Sequence, residues 1–229
     1  MNSSFSTITP NLQLAWDSTS LSAFKTCPRL YYYSIVLGYE PKQRSYHLTF
    51  GLIYHSALET YDHERSRGVD HDGATWAAVW HTLKETWDTK LQRPWNSGDS
   101  YKNRFTLVRT IVWYLDHFAD DPITTVQLSN GKPAVELSFR YKFPHTFSNG
   151  ETVVACGHLD RLGELGGSTW VVDRKTTKHE LNERFFDQFT PDTQMTWYTL
   201  AGKVIGSVPV QGVILDGAQV LVNSSRFQR

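Results

Sequence analysis

Gly157-His158-Leu159-Asp160, a Gly166-Gly167 turn and Trp170-Val171-Val172-Asp173-Arg174-Lys175 form the stretch whose reading decides the fold. Side chains alternate between faces along a strand, so Asp173 and Lys175 project from one face of the second strand of a hairpin. In-register pairing sets Asp160 beside them. Carboxylates brought this close repel each other unless a cation lies between them, and a divalent metal is the natural cation for that place. The alternative is a surface hairpin with solvated charges, a common use of charged residues near turns.

Working upstream, Val135, Leu137, Phe139 and Tyr141 alternate with Glu136, Ser138, Arg140 and Lys142, the pattern of a half-buried strand. Ser148-Asn149-Gly150 turns the chain into a strand from Val153 to Leu162, where Val154, Cys156 and His158 share a face with Asp160. The result is a three-stranded meander. Glu136, next door to the Asp160 strand, is within reach of a site there without being counted among its ligands. Downstream, Thr176 to Phe189 is polar and without a clear period, with Lys178 and Arg184 available for phosphates. Thr190-Pro191 caps a helix running to Ile205 and closed by Gly206, with Trp197, Leu200, Ala201 and Val204 as its buried stripe and Gln194 and Tyr198 one turn apart. Val210 to Leu215 and Gln219 to Val222 read as closing strands around Asp216-Gly217.

The first part of the chain is helical in period. From Leu48 to Glu64, Gly51, His55 and Glu59 fall on one stripe, beside a broader apolar side made by Phe50, Ile53, Tyr54, Ala57, Leu58 and Tyr61. A lone histidine on a helix is usually structural, so His55 becomes a ligand only through company from elsewhere. Trp76, Val79, Trp80, Leu83 and Trp87, then Phe105, Val108, Val112, Leu115 and Phe118, mark two scaffold helices with core-facing aromatics. Ser18-Thr19-Ser20 offers caps to a helix that Cys27-Pro28 breaks. The tyrosines at 31, 32 and 33 read more readily as packing than as a base-stacking platform. Residues 1–17 read as an arm ordered by packing on the body.

At 229 residues the chain suits one domain, with a mainly helical part (1–130) and a sheet-forming part (131–229). Lys and Arg number 23 and so do Asp and Glu, so no overall field argues for or against nucleic acid, since an acidic metal pocket can cancel a basic groove. The two cysteines, Cys27 and Cys156, lack a secretory context, and no apolar run is long enough for a bilayer. A cytoplasmic protein with no membrane partner is the expectation.

Four motifs then fall in order. Gly51 to Glu59 resembles a GxxxHxxLE motif, Gly157 to Asp160 a GxxD motif, Asp173-Arg174-Lys175 an acidic-x-Lys motif, and Gln194 to Tyr198 a QxxxY motif. Together they resemble the RecB-like nucleases of the PD-(D/E)XK superfamily. Leu21 to Tyr33 is similar to that family's N-terminal helix, and the chain is also similar to CRISPR-associated adaptation exonucleases and related phage proteins. The resemblance implies an α/β fold with a restriction-endonuclease-like core, a mixed central sheet whose antiparallel meander is flanked by helices. It implies hydrolysis of DNA phosphodiester bonds with Mg²⁺ or Mn²⁺, the ion held by His55, Asp160, Asp173 and the backbone carbonyl of Arg174. Asp160, Asp173 and Lys175 would carry catalysis, with Lys175 orienting or deprotonating the attacking water. Gln194, Tyr198, Arg161 and Lys178 would contact the substrate, with Lys142, Arg174 and Arg184 as further phosphate candidates.

The implied activity is that of an exonuclease on single-stranded or end-opened DNA in recombination, repair or spacer processing, alongside partner proteins of a recombination or CRISPR-type complex. Two departures stand out. Leu159 occupies the place of the superfamily's proline. Some relatives hold a 4Fe-4S cluster through one early and three late cysteines; Cys27 matches the early one, but no cysteine follows Cys156. A cluster therefore cannot form within this chain, which is either cluster-free or a C-terminally shortened form of a longer protein. Two other readings stay open. One is a non-catalytic nucleic-acid-binding subunit, against which the full set His55, Asp160, Asp173 and Lys175 speaks. The other is a glycosidase acid pair with tryptophans lining a sugar cleft, against which Lys175 speaks.

Overall fold

The computed structural model describes residues 4–43, 45–204 and 209–229. In chain order it contains β1 (Ala15–Trp16), α1 (Ser18–Thr26), α2 (Pro28–Tyr31) continuing into a π-helical turn (Tyr32–Val36), α3 (Tyr46–Ser66) and α4 (His71–Glu85). A small hairpin follows, β2 (Trp87–Asp88) with β3 (Arg93–Pro94), then α5 (Arg104–His117) and β4 (Thr124–Thr125). The second part holds β5 (Val135–Thr146), β6 (Thr152–Leu165), β7 (Ser168–Thr177), α6 (Glu183–Asp187), α7 (Thr193–Val204), β8 (Val210–Val220) and β9 (Ser225–Gln228).

β6 is the hub of a mixed sheet. It pairs antiparallel with β4, β5 and β7 and parallel with β1; β8 then joins β7 in parallel, and β9 closes antiparallel on β8. The meander forms because Gly166 and Gly167 take φ of 59° and 75°, the left-handed pair that a two-residue hairpin turn needs. Helices flank the sheet as the α/β, restriction-endonuclease-like reading requires. One core joins α3, α4 and α5 to Ala218 and Val220 of β8; the other joins α7 to β5, β6 and β7. The N-terminal segment docks through β1 and through Ser6 Oγ, which donates to Glu151 Oε2 at 2.7 Å.

Several expectations are corrected. The core face of α4 is Ala74, Ala78 and Thr82, whereas Trp76 and Trp80 are 73% and 59% exposed. Both stripes fit a helical period; small residues win the inner face because they let α3 and α4 approach closely, and the buried Thr82 hydroxyl is satisfied by Ala78 O at 2.8 Å. On α5 the buried face is Leu107, Ile111, Tyr114 and Leu115, and Phe105 is exposed. Asp216-Gly217 is no turn but the middle of a continuous β8. Asp216 is held in a buried ion network, and Leu181 packs where a Cβ on Gly217 would sit. Asp17 rather than the serines after it caps α1, and Asp192 caps α7 by accepting from Gln194 N and Met195 N. The buried residues of α7 include Tyr198, Ala201 and Gly202, with Trp197 and Leu200 packed beside them; the expected helix end at Ile205 and Gly206 lies outside the described residues.

Candidate active site

Strand register assembles the acids. β5 and β6 pair Val135 with Arg161 and Leu137 with Leu159, which sets Glu136 opposite Asp160. β6 and β7 pair Arg161 with Val172, and one step further Asp160 meets β7 at Asp173 and Arg174, where Arg174 N–H donates to Asp160 Oδ2 at 2.9 Å. Carboxylates from three neighbouring strands therefore adjoin. Glu136 is held with φ of 47°, a costly conformation for a non-glycine residue and one that recurs at functional sites.

α3 lies across this point and brings His55 Nδ1 to 3.2 Å from Asp160 Oδ2. His55, Glu136 and Asp160 each offer a ligand atom, and these atoms lie within 4.8 Å of one another. Asp173 is fully buried, and Lys175 Nζ lies 2.9 Å from its Oδ1 and 2.8 Å from its Oδ2. Only the former is a hydrogen bond; Oδ2 has none among the described residues. The lysine also donates to Gln194 Oε1 at 2.8 Å, and Gln194 Nε2 donates to Tyr198 OH at 2.8 Å. Gln194 and Tyr198 are thus a polar link from α7 to Lys175 of β7. A cleft of about 640 Å³ opens beside Lys175, with His179, Arg184 and Phe185 in its wall.

Burial and mutual repulsion leave this group short of positive charge. Burial, reinforced by Asp160, pushes the Glu136 carboxyl up to about 7. Burial likewise pushes Asp173 up to about 6, with Asp160 adding to the effect and Lys175 opposing it. For His55, burial disfavours the imidazolium, but the Asp160 carboxylate overrides it and raises the pKa. Burial would raise Asp160, yet His55 and the Arg174 N–H hold it below its ordinary value.

A pH prediction follows from the raised acids. Glu136 and Asp173 bind protons more tightly folded than unfolded, so their stabilising contribution is full below about pH 4 and is lost as pH rises through about 6 to 7. His55, also raised, acts in the same direction. Lys102, pulled down to about 8 by burial, acts oppositely only above that. After allowance for solvent screening at half-buried Glu136, the loss is on the order of 3 kcal/mol, or roughly 5–10 °C in melting temperature. Calorimetry in chelator from pH 4.5 to 7.5 checks this. A melting temperature that climbs over that window contradicts it.

Other expected site residues fare differently. Arg161 is no substrate contact: it is buried and donates to Thr125 Oγ1 (2.9 Å), Ile123 O (2.6 Å) and Asp121 Oδ2 (3.3 Å), tying β6 to the segment after α5. The Arg174 side chain is equally unavailable to phosphate, buried against Asp62 of α3 at 2.9 Å. Lys178, Arg184 and Lys142 are exposed. Glu59 faces His63 at 3.6 Å. Cys27 is exposed and free. Sequence reading missed Lys102, whose Nζ donates to Thr176 O and Oγ1 at 3.1 and 3.2 Å just beyond Lys175. It sits in a loop without period, and only the tertiary contact reveals it.

The profile of the PD-(D/E)XK nuclease superfamily matches residues 16–226, from β1 into β9. The chain belongs to the PD-(D/E)XK nuclease superfamily. No curated protein matches it. Nucleases of this superfamily act on nucleic acid with the help of a divalent metal. The donor set fits such a group: carboxylates and one imidazole, crowded acids in need of a cation, and a buried Asp173 oxygen without a hydrogen bond. No helix among the described residues is long and apolar enough to cross a membrane.

Proposed function

We propose that this PD-(D/E)XK protein is a RecB-like, divalent-metal-dependent DNA exonuclease acting on single strands or free ends, in recombination, repair or phage- and CRISPR-related DNA processing. The reading rests on one observation, the convergence of His55, Glu136 and Asp160 beside the Asp173–Lys175 ion pair. Asp160, Asp173, His55 and the Arg174 carbonyl would hold the ion, with Glu136 as a further carboxylate, and the imidazole tilts preference toward Mn²⁺ over Mg²⁺. The bound ion supplies Lewis acidity and makes a water more acidic.

The remaining work belongs to the chain. An ammonium has three N–H donors. Lys175 commits two, to Asp173 and Gln194, and the third is left for the attacking water or for the phosphoryl oxygen that gains charge. Burial, with Asp160 and Asp173 nearby, holds the Tyr198 phenol above its ordinary range, so its oxygen stays protonated while accepting from Gln194. That bond orients the amide so that Oε1 faces Lys175. The glycosidase reading loses its sugar cleft, since Trp76 and Trp80 lie on the outer face of α4.

End-labelled single- and double-stranded DNA incubated with Mn²⁺, Mg²⁺ or EDTA tests the proposal. A ladder shrinking from one labelled end is expected with either ion and none with EDTA. Lys175→Ala should slow it by roughly 10²–10³-fold, the effect of removing one donor to developing charge. Cleavage indifferent to chelation would sink the metal mechanism.

A further inference from the structure

Only Tyr31 of the N-terminal tyrosine run is buried; Tyr32, Tyr33 and Tyr39 are 43%, 39% and 64% exposed. The packing reading therefore fails for the rest of the cluster. Tyr32 and Tyr33 stand on the π-helical turn Tyr32–Val36, and such turns recur at functional sites. Tyr33 and Tyr39 lie in an offset, near-parallel stack, centroids 5.9 Å apart and planes 9° from parallel, and the Arg29 guanidinium lies 5.6 Å over Tyr33. In a chain with no net charge, the segment from Phe24 to Gln43 sets Lys25, Arg29 and Lys42 against the single carboxylate of Glu40. Flat rings interleaved with cations suit a flexible polyanion carrying flat groups.

The helix that leads into the platform touches the element beside the site. Lys25 Nζ donates to Thr193 Oγ1 at 3.0 Å at the start of α7, and the next residue is Gln194, the partner of Lys175. We propose that the exposed face formed by Arg29, Tyr32, Tyr33 and Tyr39 binds an unpaired nucleic-acid strand, stacking bases on the tyrosines and holding phosphates with Arg29 and Lys25, and so feeds that strand toward Lys175. The proposal rests on the nuclease reading for its direction, though not for the binding itself. Base stacking tolerates any sequence because every base has a π-face, so the platform selects for unpaired structure rather than for particular bases.

Fluorescence anisotropy with a short labelled oligothymidylate and a matching duplex, in EDTA so that nothing is cut, tests it. The pair Tyr33→Leu/Tyr39→Leu should weaken the single strand roughly tenfold or more, whereas Tyr33→Phe/Tyr39→Phe should bind like the parent. Duplex affinity should change little. Arg29→Ala should lower the salt slope for the single strand by about 0.7, one phosphate contact. Leucine variants that bind the single strand as the parent does overturn the platform, and the face then serves a protein partner instead. If the parent cuts no DNA while the leucine pair still loses strand binding, the nuclease reading fails and the platform stands. If the parent cuts and the leucine pair binds unchanged, the reverse holds.

Discussion

Asp160→Asn is expected to lower DNA hydrolysis by about a thousandfold or more while leaving the fold intact. Asp160 is where every part of the site meets: Glu136 stands opposite it across β5, the Arg174 N–H of β7 donates to it, and His55 reaches it from α3. The amide keeps an acceptor for Arg174 but removes the charge that a divalent ion needs. It also relieves the repulsion that helps to push Glu136 and Asp173 upward. The metal-free melting temperature should thus stay level or rise, and the rise that Mn²⁺ gives the parent should vanish. Hydrolysis within about tenfold of the parent would remove Asp160 from the site.

Much of this arrangement was legible because it rests on local chemistry. Alternating runs and a Gly-Gly turn predict the meander, and the period of two puts Asp173 and Lys175 on one face. The motif order adds His55, whose role no local signal could establish. Glu136 was harder, since its part depends on register: only the pairing of Val135 with Arg161 and Leu137 with Leu159 brings it against Asp160. Arg161 and Arg174 misled because charge near a site suggests substrate, whereas partners distant in sequence, Asp121 and Asp62, bury them. The tryptophans of α4 misled in the opposite sense. Their size argued for a core that Ala74 and Ala78 in fact form by letting helices approach. In each case the deciding quantity was a tertiary distance, to which composition and period are blind.

Arg174→Ala is expected to cost about 3–5 kcal/mol of stability, the usual result of stripping one partner from a buried ion pair. The Arg174 and Asp62 side chains are 5% and 7% exposed, and their charged groups meet at 2.9 Å. Burial disfavours the arginine's charge, yet Asp62, Tyr114 and Asp216 together hold its pKa well above the ordinary value. Without it, Asp62 keeps, among the described residues, only a weak contact from Thr125 Oγ1 at 3.4 Å. Asp216, 1% exposed, would then depend on Arg229 and Tyr114 alone among the described residues. Because Arg174 lies between Asp173 and Lys175, the same network that stabilises the fold also anchors the strand on which both stand. A double variant, Arg174→Met with Asp62→Leu, removes both charges and should lose far less than the single change. Urea unfolding checks this: the midpoint should fall for Arg174→Ala at unchanged slope and recover in the double variant. A single-variant loss under about 1 kcal/mol, the worth of an exposed pair, would mean that solvent reaches these charges and that β7 is anchored by its sheet hydrogen bonds instead.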